Sequence, residues 1–195
     1  MELALYDFDG TITTKDTLAD FIQCAVGKKL YYMGLFIMSP MLAAYTLKII
    51  PNNIAKERFM TYFFKGWDEI HFKQIAEQYS LKQINKITRP KAMDKIRWHQ
   101  EQGHKVVVVS ASPENWIKGW CEKNKVDLIA TRLEIENGKL TGKFATKNCY
   151  GMEKVKRIKE VYDVSQFDYI YAYGDSQGDK EMLSIANESY YKHFD

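Results

Sequence analysis

Cysteine is scarce in this sequence, and the few residues present are not spaced as metal ligands or redox pairs. Three occur, Cys24, Cys121 and Cys149, which is an odd number without a CxxC pair. This pattern argues against both a disulfide framework and a zinc site. Because disulfides are rare in reducing compartments, we expect a cytoplasmic protein. A predicted strand begins almost at Met1, so no signal peptide is expected.

The sequence also lacks an excess of charge of either sign. It has 28 Lys and Arg against 25 Asp and Glu, which gives a formal net charge of +3 over 195 residues. The basic residues are scattered rather than arranged in a stripe, so we expect no nucleic-acid partner. Hydrophobic residues make up 46% of the chain, as in ordinary soluble proteins. The length allows one sizeable domain with an inserted subdomain, and nothing in the sequence indicates an oligomeric state.

Charge is missing altogether from one stretch, LYYMGLFIMSPMLAAYTL, residues 30–47. Its length approaches the minimum for a membrane span. Pro40 interrupts the stretch and polar side chains dilute it, so a true span is the least favoured interpretation. We expect instead a pair of buried helices that break at Ser39 and Pro40. The alternative is a membrane-docking or lipid-accepting surface over residues 30–50.

The remaining pattern predicts an α/β fold. Residues 16–86 are helical in character, with breaks at Gly27, Pro40, Pro51 and Gly66, and strands alternate with helices after residue 89. Expected strands cover residues 3–8, 105–110, 127–131, 168–175 and 190–191; expected helices cover 90–103, 112–123, 151–162 and 179–187, and a hairpin turns at Asn137 and Gly138. Four consecutive valines, residues 106–109, indicate a strand that is buried on both faces.

This order predicts a doubly wound, Rossmann-like parallel sheet with an inserted helical subdomain. We divide the chain into a core of residues 1–14 and 88–195 and a helical insert of residues 15–87. Ligands bind outside the carboxyl ends of the strands in such sheets. Asp7, Asp9, Ser110 and Asp175 all fall at predicted strand ends, so we expect them to meet at one edge of the sheet.

The paired aspartates indicate a cation site. Asp7 and Asp9 are two residues apart on an extended segment, so their carboxylates point to the same side. Two such charges about 4 Å apart repel by about 4 kcal/mol at an effective dielectric constant of 20. Adding Asp175 makes the repulsion worse unless a cation is present, and Mg²⁺ suits a site built from few carboxylates. A Ca²⁺ site or a purely structural site is the alternative.

Two further side chains are suited to binding a phosphate near these acids. The Ser110 hydroxyl and the backbone N–H groups beside it can hold an anion at the end of their strand. Lys154, on a later predicted helix, can supply a compact positive charge. Each is weak evidence alone, since a serine at a strand end is usually a cap and a helical lysine is usually solvated.

Taken together, these residues resemble the haloacid dehalogenase superfamily of phosphohydrolases, and its phosphoserine-phosphatase-like branch in particular. DFDGT, from Asp7 to Thr11, is similar to the first motif, and VVVVS, ending at Ser110, to the second. Lys154 in NCYGMEKV fits the third motif, where GxxK after NC favours it over Lys147, and GDSQGD, ending at Asp179, fits the fourth. The helical insert resembles the cap domain of that branch.

The resemblance implies a role for each residue. Asp7 would be the nucleophile that forms an aspartyl phosphate, and Asp9 would protonate the leaving oxygen and then activate water. Mg²⁺ would be held by Asp7, the backbone carbonyl of Asp9, Asp175 and Asp179. The substrate phosphate would be bound by Gly10, Thr11, Ser110, the backbone of Ala111, and Lys154.

The substrate is less well defined. Phosphoserine phosphatases carry a glutamate where this sequence has Asp16, and an asparagine where it has Gly178. Arg58 is a possible ligand for a substrate anion, although a solvated arginine is the simpler interpretation. The apolar segment resembles that of the bacterial phosphatidylglycerophosphatase of the same superfamily. We therefore expect a small phosphomonoester first, phosphoserine-like or otherwise, and a lipid phosphate second.

Two other functions remain open at this stage. A phosphate-binding regulator without turnover is possible because a fold does not fix a function. It is disfavoured because a binder does not need Asp9 to handle protons. Phosphotransfer to an alcohol cannot be separated from hydrolysis by sequence. The four histidines, His71, His99, His104 and His193, are expected to be dispersed surface residues without a metal-site role.

Overall fold

Five parallel strands form the central sheet of the computed structural model, which describes residues 1–195. The strands of the chain are β1 (Glu2–Tyr6), β2 (Lys105–Pro113), β3 (Asp127–Thr131), β4 (Leu133–Glu136), β5 (Lys139–Phe144), β6 (Tyr169–Gly174) and β7 (Glu188–Tyr191). The sheet order is β3-β2-β1-β6-β7, and all four neighbouring pairs are parallel. The predicted parallel α/β sheet is therefore confirmed.

Nine helices surround the sheet and extend from it. They are α1 (Thr17–Val26), α2 (Lys28–Ile37), α3 (Ser39–Thr46), α4 (Asn52–Phe64), α5 (Glu69–Lys82), α6 (Pro90–Glu101), α7 (Lys118–Lys123), α8 (Met152–Val161) and α9 (Lys180–Ser184). Helices α1 to α5 lie between β1 and α6 in the chain, and the predicted breaks at Gly27, Pro51 and Gly66 fall between helices, whereas Pro40 lies in the first turn of α3. Single 3-10 turns occur at residues 84–86, 114–116, 164–166 and 177–179.

The apolar strands are buried on both faces because helices cover both sides of the sheet. On β1, Leu3 and Leu5 belong to one buried cluster, whereas Ala4 and Tyr6 belong to the other. The first cluster includes Ile158 of α8 and Met182 of α9, and the second includes residues of α6 and α7. Side chains alternate along a strand, so a continuous apolar run is what a doubly covered strand requires.

The order of the strands determines where on the sheet the site lies. Strand β1 is central, with β2 on one side and β6 on the other. The chain continues outward from β1 in both directions, so the order reverses there, and a crevice forms at the carboxyl ends of the strands. Asp7 follows β1 directly and its backbone N–H donates to the carbonyl oxygen of Tyr173 at 2.9 Å, which holds the end of β1 against β6.

The helical insert and the sheet share one apolar cluster. Phe21 of α1 stacks on Trp116 with ring centroids 4.5 Å apart, and it contacts Phe64, Phe72 and Tyr79 edge-on or tilted. These rings and the buried side chains beneath the sheet belong to the same cluster of 27 residues. Aromatic packing therefore fixes helices α1, α4 and α5 relative to the core.

Helices α2 and α3 differ from the expectation for residues 30–47. The break at Ser39 and Pro40 is present, but the two helices are not buried. Gly34 is the one buried residue of α2 and no residue of α3 is buried, while Phe36 is 81% exposed and Leu47 is 72% exposed. The predicted burial is therefore wrong, because α2 packs on α4 with one face only. On that face Tyr31 stacks on the Phe63 ring, and Gly34 approaches it so closely that an added Cβ would lie 2.3 Å away. No helix combines the length and apolar character that crossing a membrane requires.

The hairpin of β4 and β5 turns at the predicted residues and packs on the insert. Asn137 and Gly138 have φ values of 51° and 71°, as a two-residue turn with both central residues left-handed requires. The backbone of Gly142 approaches α4 so closely that an added Cβ would lie 2.3 Å from the Cα of Thr61. Leu140 also exchanges backbone hydrogen bonds with Gly66 and Trp67. The hairpin thus packs against α4 and the residues that follow it.

Two further expectations need correction. Ser112 and Pro113 do not start a helix, because β2 continues through Pro113 and α7 begins at Lys118.

His99 and His104 are not dispersed surface residues. His99 is buried, and its Nε2 lies 2.9 Å from the Tyr173 hydroxyl. The Nδ1 atoms of the two histidines are 2.8 Å apart. Burial lowers the pKa of His99 to about 3, so it packs as a neutral ring beneath the sheet.

Candidate active site

Three carboxylates meet at the carboxyl edge of the sheet. Asp7 follows β1, Asp175 follows β6, and Asp179 ends the 3-10 turn after β6. One oxygen from each lies within 4.8 Å of the others. Asp7 and Asp179 are buried and Asp175 is half-buried. A cluster of hard oxygen donors of this kind is suited to a divalent cation such as Mg²⁺.

Lys154 is the cation within this cluster. Its side chain is 1% exposed, and its Nζ donates to Asp7 Oδ1 at 2.5 Å, to Asp179 Oδ1 at 2.6 Å and to the carbonyl oxygen of Val109 at 2.7 Å. The ammonium group has three N–H donors, and each has a buried partner. The position of α8 beneath the strand ends makes this contact possible, and Gly151, with φ of 61°, forms the turn before that helix.

The buried charges alter the pKa values of one another. Burial raises the pKa of Asp7 to about 8, although Lys154 opposes the shift. Burial would raise that of Asp179 as well, but Lys154 and the Ser176 hydrogen bonds outweigh it and the pKa is lowered. Burial disfavours the charged form of Lys154, yet Asp7 and Asp179 together hold its pKa above the usual range. Burial also raises the pKa of Asp175. The cluster therefore has more carboxylates than one lysine neutralises.

Asp9 lies apart from the three clustered carboxylates and is held by different partners. Its Oδ1 accepts from the backbone N–H of Thr17 at 2.6 Å, at the start of α1, and its Oδ2 accepts from the Ser112 hydroxyl at 2.6 Å. The Thr17 hydroxyl donates to Ser112 and accepts from the Trp116 indole N–H. Burial and the nearby Asp16 raise the pKa of Asp9, while the Ser112 and Thr17 hydrogen bonds oppose this. Asp9 is thus oriented by both the insert and the core.

Gly10 and Thr11 bring the chain close to Asp175. Gly10 has φ of 84°, and an added Cβ there would lie 2.3 Å from Asp175 Oδ2. Both the left-handed backbone and the lack of space require glycine. The Thr11 hydroxyl donates to Asp175 Oδ1 at 3.1 Å and to Asp7 Oδ2 at 3.4 Å. Thr11 therefore links two of the clustered acids.

Ser110 is placed differently from its predicted neighbours. It is fully buried, and its hydroxyl oxygen accepts from the backbone N–H of Ser112 at 3.0 Å. The following residue, Ala111, lies on the cavity surface, whereas Ser110 does not. A phosphate-binding role for Ser110 thus stays a prediction, and its observed contact shapes the turn that presents Ala111 and Ser112.

An open cavity of about 460 Å³ lies above the acids. Its floor is formed by core residues and its roof by residues of the insert, and most of the lining is polar. The lining residues are Asp7, Asp9, Gly10, Thr14, Lys15, Asp16, Tyr45, Asn52, Lys56, Ala111, Tyr150, Lys154, Asp175, Ser176, Gln177 and Asp179. Except for Ser110 and Thr11, every residue expected at the site contributes to this surface.

The structure adds residues that the sequence did not indicate. Lys56 of α4 lines the cavity, with its Nζ 3.5 Å from the carbonyl oxygen of Ala111, whereas Arg58 is exposed and does not line it. Residues two apart on a helix point in nearly opposite directions, so only one of these cations can face the cavity. Asn52 connects the roof to the core: it donates to the Tyr45 hydroxyl and accepts from Asn148. No sequence motif marked Lys56 or Asn52.

Both departures from the phosphoserine-phosphatase pattern have structural explanations. The Asp16 carboxylate caps α1 by accepting from the backbone N–H groups of Leu18 and Ala19, although the residue also lines the cavity. Gly178 leaves space for the Tyr150 ring, because an added Cβ would lie 2.3 Å from Tyr150 Cε2. Tyr150 thus occupies space that a side chain at position 178 would need.

Comparisons of sequence identify similar proteins over almost the whole chain. The family described as haloacid dehalogenase-like hydrolase matches residues 4–184. Protein CicA of Caulobacter vibrioides is 32% identical over 194 residues, which cover 98% of this chain and 86% of that protein. A protein named probable phosphatase in Mycobacterium tuberculosis is 28% identical and is matched over 95% of this chain and 67% of its own length.

Solved structures have the same fold at lower identity. A protein of unknown function from Bordetella pertussis superposes with a TM-score of 0.84 at 21% identity, covering 96% of this chain and 88% of that one. A phospho-aspartyl intermediate analogue of phosphoserine phosphatase superposes with a TM-score of 0.69 at 18% identity, covering 96% of this chain and 84% of that one. At these identities the similarity establishes the fold.

Proposed function

This chain belongs to the haloacid dehalogenase-like hydrolase family, and we propose that it is a phosphatase that hydrolyses phosphomonoesters through an aspartyl phosphate. The observation that carries the proposal is the pair Asp7 and Asp9 on one cavity floor with separate partners, Lys154 for Asp7 and Ser112 for Asp9. A relative that is named as a probable phosphatase supports it.

Asp7 is the proposed nucleophile. Its Oδ1 is engaged by Lys154, while Oδ2 has only the long 3.4 Å contact from Thr11, so a carboxylate oxygen is available at the cavity floor. This carboxylate attacks phosphorus, the bond between phosphorus and the ester oxygen breaks, and an aspartyl phosphate forms. Lys154 favours the ionised form of Asp7 and so opposes burial, which raises the pKa of Asp7 to about 8. A bound Mg²⁺ would favour the ionised form further.

Asp9 is the proposed general acid and base. A protonated Asp9 gives its proton to the departing ester oxygen, and the resulting carboxylate then takes a proton from the water that hydrolyses the aspartyl phosphate. The raised pKa of Asp9 favours the protonated form that the first step needs. The contacts from Thr17 and Ser112 fix its orientation.

The acidic cluster fits Mg²⁺. Asp7, Asp175 and Asp179 offer clustered carboxylate oxygens, and we propose that the Asp9 backbone carbonyl completes the protein ligands. When bound, Mg²⁺ neutralises the excess negative charge and stabilises the charge on the transferring phosphoryl group. Lys154 holds Asp7 and Asp179 in place for this purpose. Gly10, Thr11, Ser110 and Ala111 are proposed to surround the phosphate, together with Lys154.

The proposed substrate is a small phosphomonoester. The cavity of about 460 Å³ is lined mostly by polar side chains, and a solved structure with this fold is a phosphoserine phosphatase. We propose that residues 1–14 and 88–195 form the catalytic core and that residues 15–87 form the cap that closes the cavity. Phosphate release from phosphoserine and simple alkyl phosphates, with and without Mg²⁺, tests this assignment.

A lipid phosphate is the second candidate, because the surface of α2 and α3 is exposed and apolar. The exposed residues of α2 include Leu30, Tyr32, Met33, Phe36 and Ile37, and Leu47 and Ile49 are exposed just after α3. No acidic residue occurs from position 21 to 56. Such a surface is suited to peripheral contact with an anionic membrane by residues 30–50. A preference of more than about tenfold for phosphatidylglycerophosphate in vesicles over phosphoserine, or about 1.4 kcal/mol, would reverse the ranking.

Hydrolysis is separated from transfer and from simple binding by product analysis. Turnover in the presence of added glycerol should yield inorganic phosphate as the main product. Glycerol phosphate in excess over inorganic phosphate would identify a phosphotransferase. Stoichiometric binding of phosphate analogues without any turnover would identify a regulator.

A further inference from the structure

A second, apolar cavity opens beside the phosphate cavity. It has a volume of about 190 Å³ and lies between α1, α3 and α4. Its lining residues are Asp16, Leu18, Ala19, Leu42, Tyr45, Asn52, Ala55, Lys56 and Phe59. We refer to it as the apolar groove.

The apolar groove is continuous with the site of the chemistry. Four of its lining residues, Asp16, Tyr45, Asn52 and Lys56, also line the cavity above Asp7 and Asp9. A ligand that places its phosphate on Asp7 can therefore reach past these shared residues into the groove. The groove lies in the roof, and helix α1, which forms one of its walls, also donates a hydrogen bond to Asp9, the proposed proton donor to the leaving group.

The walls of the groove are suited to hydrocarbon rather than to charge. Leu42, Ala55 and Phe59 bring only carbon to its surface, and the one carboxylate there, Asp16, is engaged with two backbone N–H groups of α1. An ammonium or carboxylate group placed against Leu42, Ala55 and Phe59 would lose its hydration without gaining a partner. Phosphoserine carries both of these groups. The polar lining residues Asp16, Tyr45, Asn52 and Lys56 are the ones shared with the phosphate cavity.

We propose that the apolar groove binds an alkyl or aryl segment of the leaving group, so that the substrate is a phosphomonoester with an apolar portion next to its phosphate. This inference rests on the proposed phosphatase function. A dry apolar cavity of about 150 Å³ holds benzene, so 190 Å³ accepts a short alkyl chain or one aromatic ring. The apolar portion comes from a soluble ester or from the first segment of a lipid.

The first experiment measures binding rather than turnover. Ethyl-, butyl- and hexylphosphonate are titrated into the wild-type protein with Mg²⁺ and followed by calorimetry. Each methylene that enters the groove should tighten the Kd by about two- to fourfold, since a buried CH₂ contributes about 0.8 kcal/mol when fully buried. A Kd that does not change with chain length overturns the proposal.

The second experiment measures kcat/KM for ethyl, butyl and hexyl phosphate. These alcohols have similar acidity, so the comparison isolates burial from leaving-group chemistry. The ratio of hexyl to ethyl kcat/KM should exceed tenfold. Chain-length-dependent phosphonate binding without any turnover would overturn the phosphatase function and leave the groove as a binding site, so the two failures are distinguishable.

Matched variants test whether the dependence of kcat/KM on chain length arises in the groove. Leu42→Asn introduces an amide into the groove, and Leu42 is outside the buried clusters, so the fold is retained. It should reduce the hexyl to ethyl ratio to below about threefold. Ala19→Leu should fill the groove and penalise hexyl more than ethyl. Ile70→Asn, at an exposed position of α5 that lines neither cavity and lies outside residues 30–50, should leave the ratio unchanged.

Comparing a substrate that is free in solution with a lipid substrate in vesicles identifies the source of the apolar segment. Turnover of hexyl phosphate free in solution at least as fast as a lipid phosphate in vesicles assigns the groove to soluble esters. A preference of more than tenfold for the vesicle, lost in Leu42→Asn but retained in Ile70→Asn, assigns it to the lipid. A vesicle preference that is unaffected by Leu42→Asn would mean that the groove does not bind the substrate, and would overturn the proposal.

Discussion

The floor and the roof of the cavity are held in different ways. On the floor, the Lys154 ammonium has three buried hydrogen-bond partners, and Asp179 accepts from Lys154, Ser176 and the backbone. On the roof, Lys56 has a single contact of 3.5 Å, and Tyr45 is partly exposed with Asn52 as its partner. On the floor, removing one residue of the network leaves buried charges unpaired. On the roof, we expect residues to be replaced at little cost.

This difference separates the chemistry from the choice of substrate. Buried charges depend strongly on one another because the local dielectric constant is low, so the floor can change little without loss of function. The roof contacts solvent on one side, so a substitution there alters affinity without disturbing the acids. We therefore expect the largest effects of substitution on the floor and the smallest on the roof.

The strongest test of the floor is Asp7→Asn. The amide keeps the shape of the side chain but is a poor nucleophile, so kcat should fall at least about a thousandfold. Rates of phosphate release from butyl phosphate measure the effect. The control is Asp94→Asn, an exposed position that pairs only with Arg97, and it should have wild-type kcat. Wild-type turnover by Asp7→Asn would rule out Asp7 as the nucleophile.

The second test is Lys154→Met, which removes the buried cation and leaves Asp7 and Asp179 unneutralised. The free energy of unfolding should decrease by about 3 kcal/mol, as measured by urea denaturation in the absence of divalent ions. Lys156→Met, on the exposed face of the same helix, should change it by less than about 0.5 kcal/mol. Equal stability of the two variants would show that the network does not depend on Lys154.

The third test, Ser112→Ala, probes how Asp9 is positioned. The variant loses the 2.6 Å hydrogen bond to Asp9, and kcat should fall by about tenfold to a hundredfold. That bond favours the ionised carboxylate, so its loss raises the pKa of Asp9 further. The limb of the pH profile that reports Asp9 should move to higher pH.

Ser184→Ala is the matched control, because its hydroxyl is bonded only to the Glu181 carbonyl oxygen at the surface. It should retain the wild-type profile. A reduced kcat in Ser112→Ala with an unmoved pH profile would indicate a purely structural role for Ser112.

The smallest effect is expected on the roof, from Lys56→Gln. Lys56 faces the cavity, so losing its charge should raise KM for a phosphomonoester about fivefold with little change in kcat. Arg58→Gln is the control on the opposite side of the same helix and should change neither value. A larger change in KM from Arg58→Gln than from Lys56→Gln would show that Arg58, and not Lys56, faces the bound substrate.

The motif residues allowed the floor to be predicted in outline. Strands buried on both faces, with acids directly after them, imply a parallel sheet whose strand ends share one edge. The clustering of Asp7, Asp175 and Asp179 agrees with that geometry. The preference for Lys154 over Lys147 rested on resemblance, and Lys154 is the lysine that contacts Asp7.

The roof and the supporting contacts could not be predicted, because each depends on how distant segments pack. Ser112 contacts Asp9 because β2 continues to Pro113, three residues beyond its expected end at Ser110. Helix α2 stays exposed because only the face that carries Tyr31 and Gly34 packs against the Phe63 ring of α4. His99 is buried because α6 presses it against Tyr173.

The sequence by itself determined the order of strands and helices, the side of each strand on which residues lie, and the acids that follow the strands. These properties depend on local periodicity and on the fixed geometry of parallel sheets. The tertiary structure alone decided that Lys56 rather than Arg58 faces the cavity, which partners hold Asp9, and that an apolar groove adjoins the acids. These depend on contacts between residues far apart in the chain, where packing and burial determine the outcome.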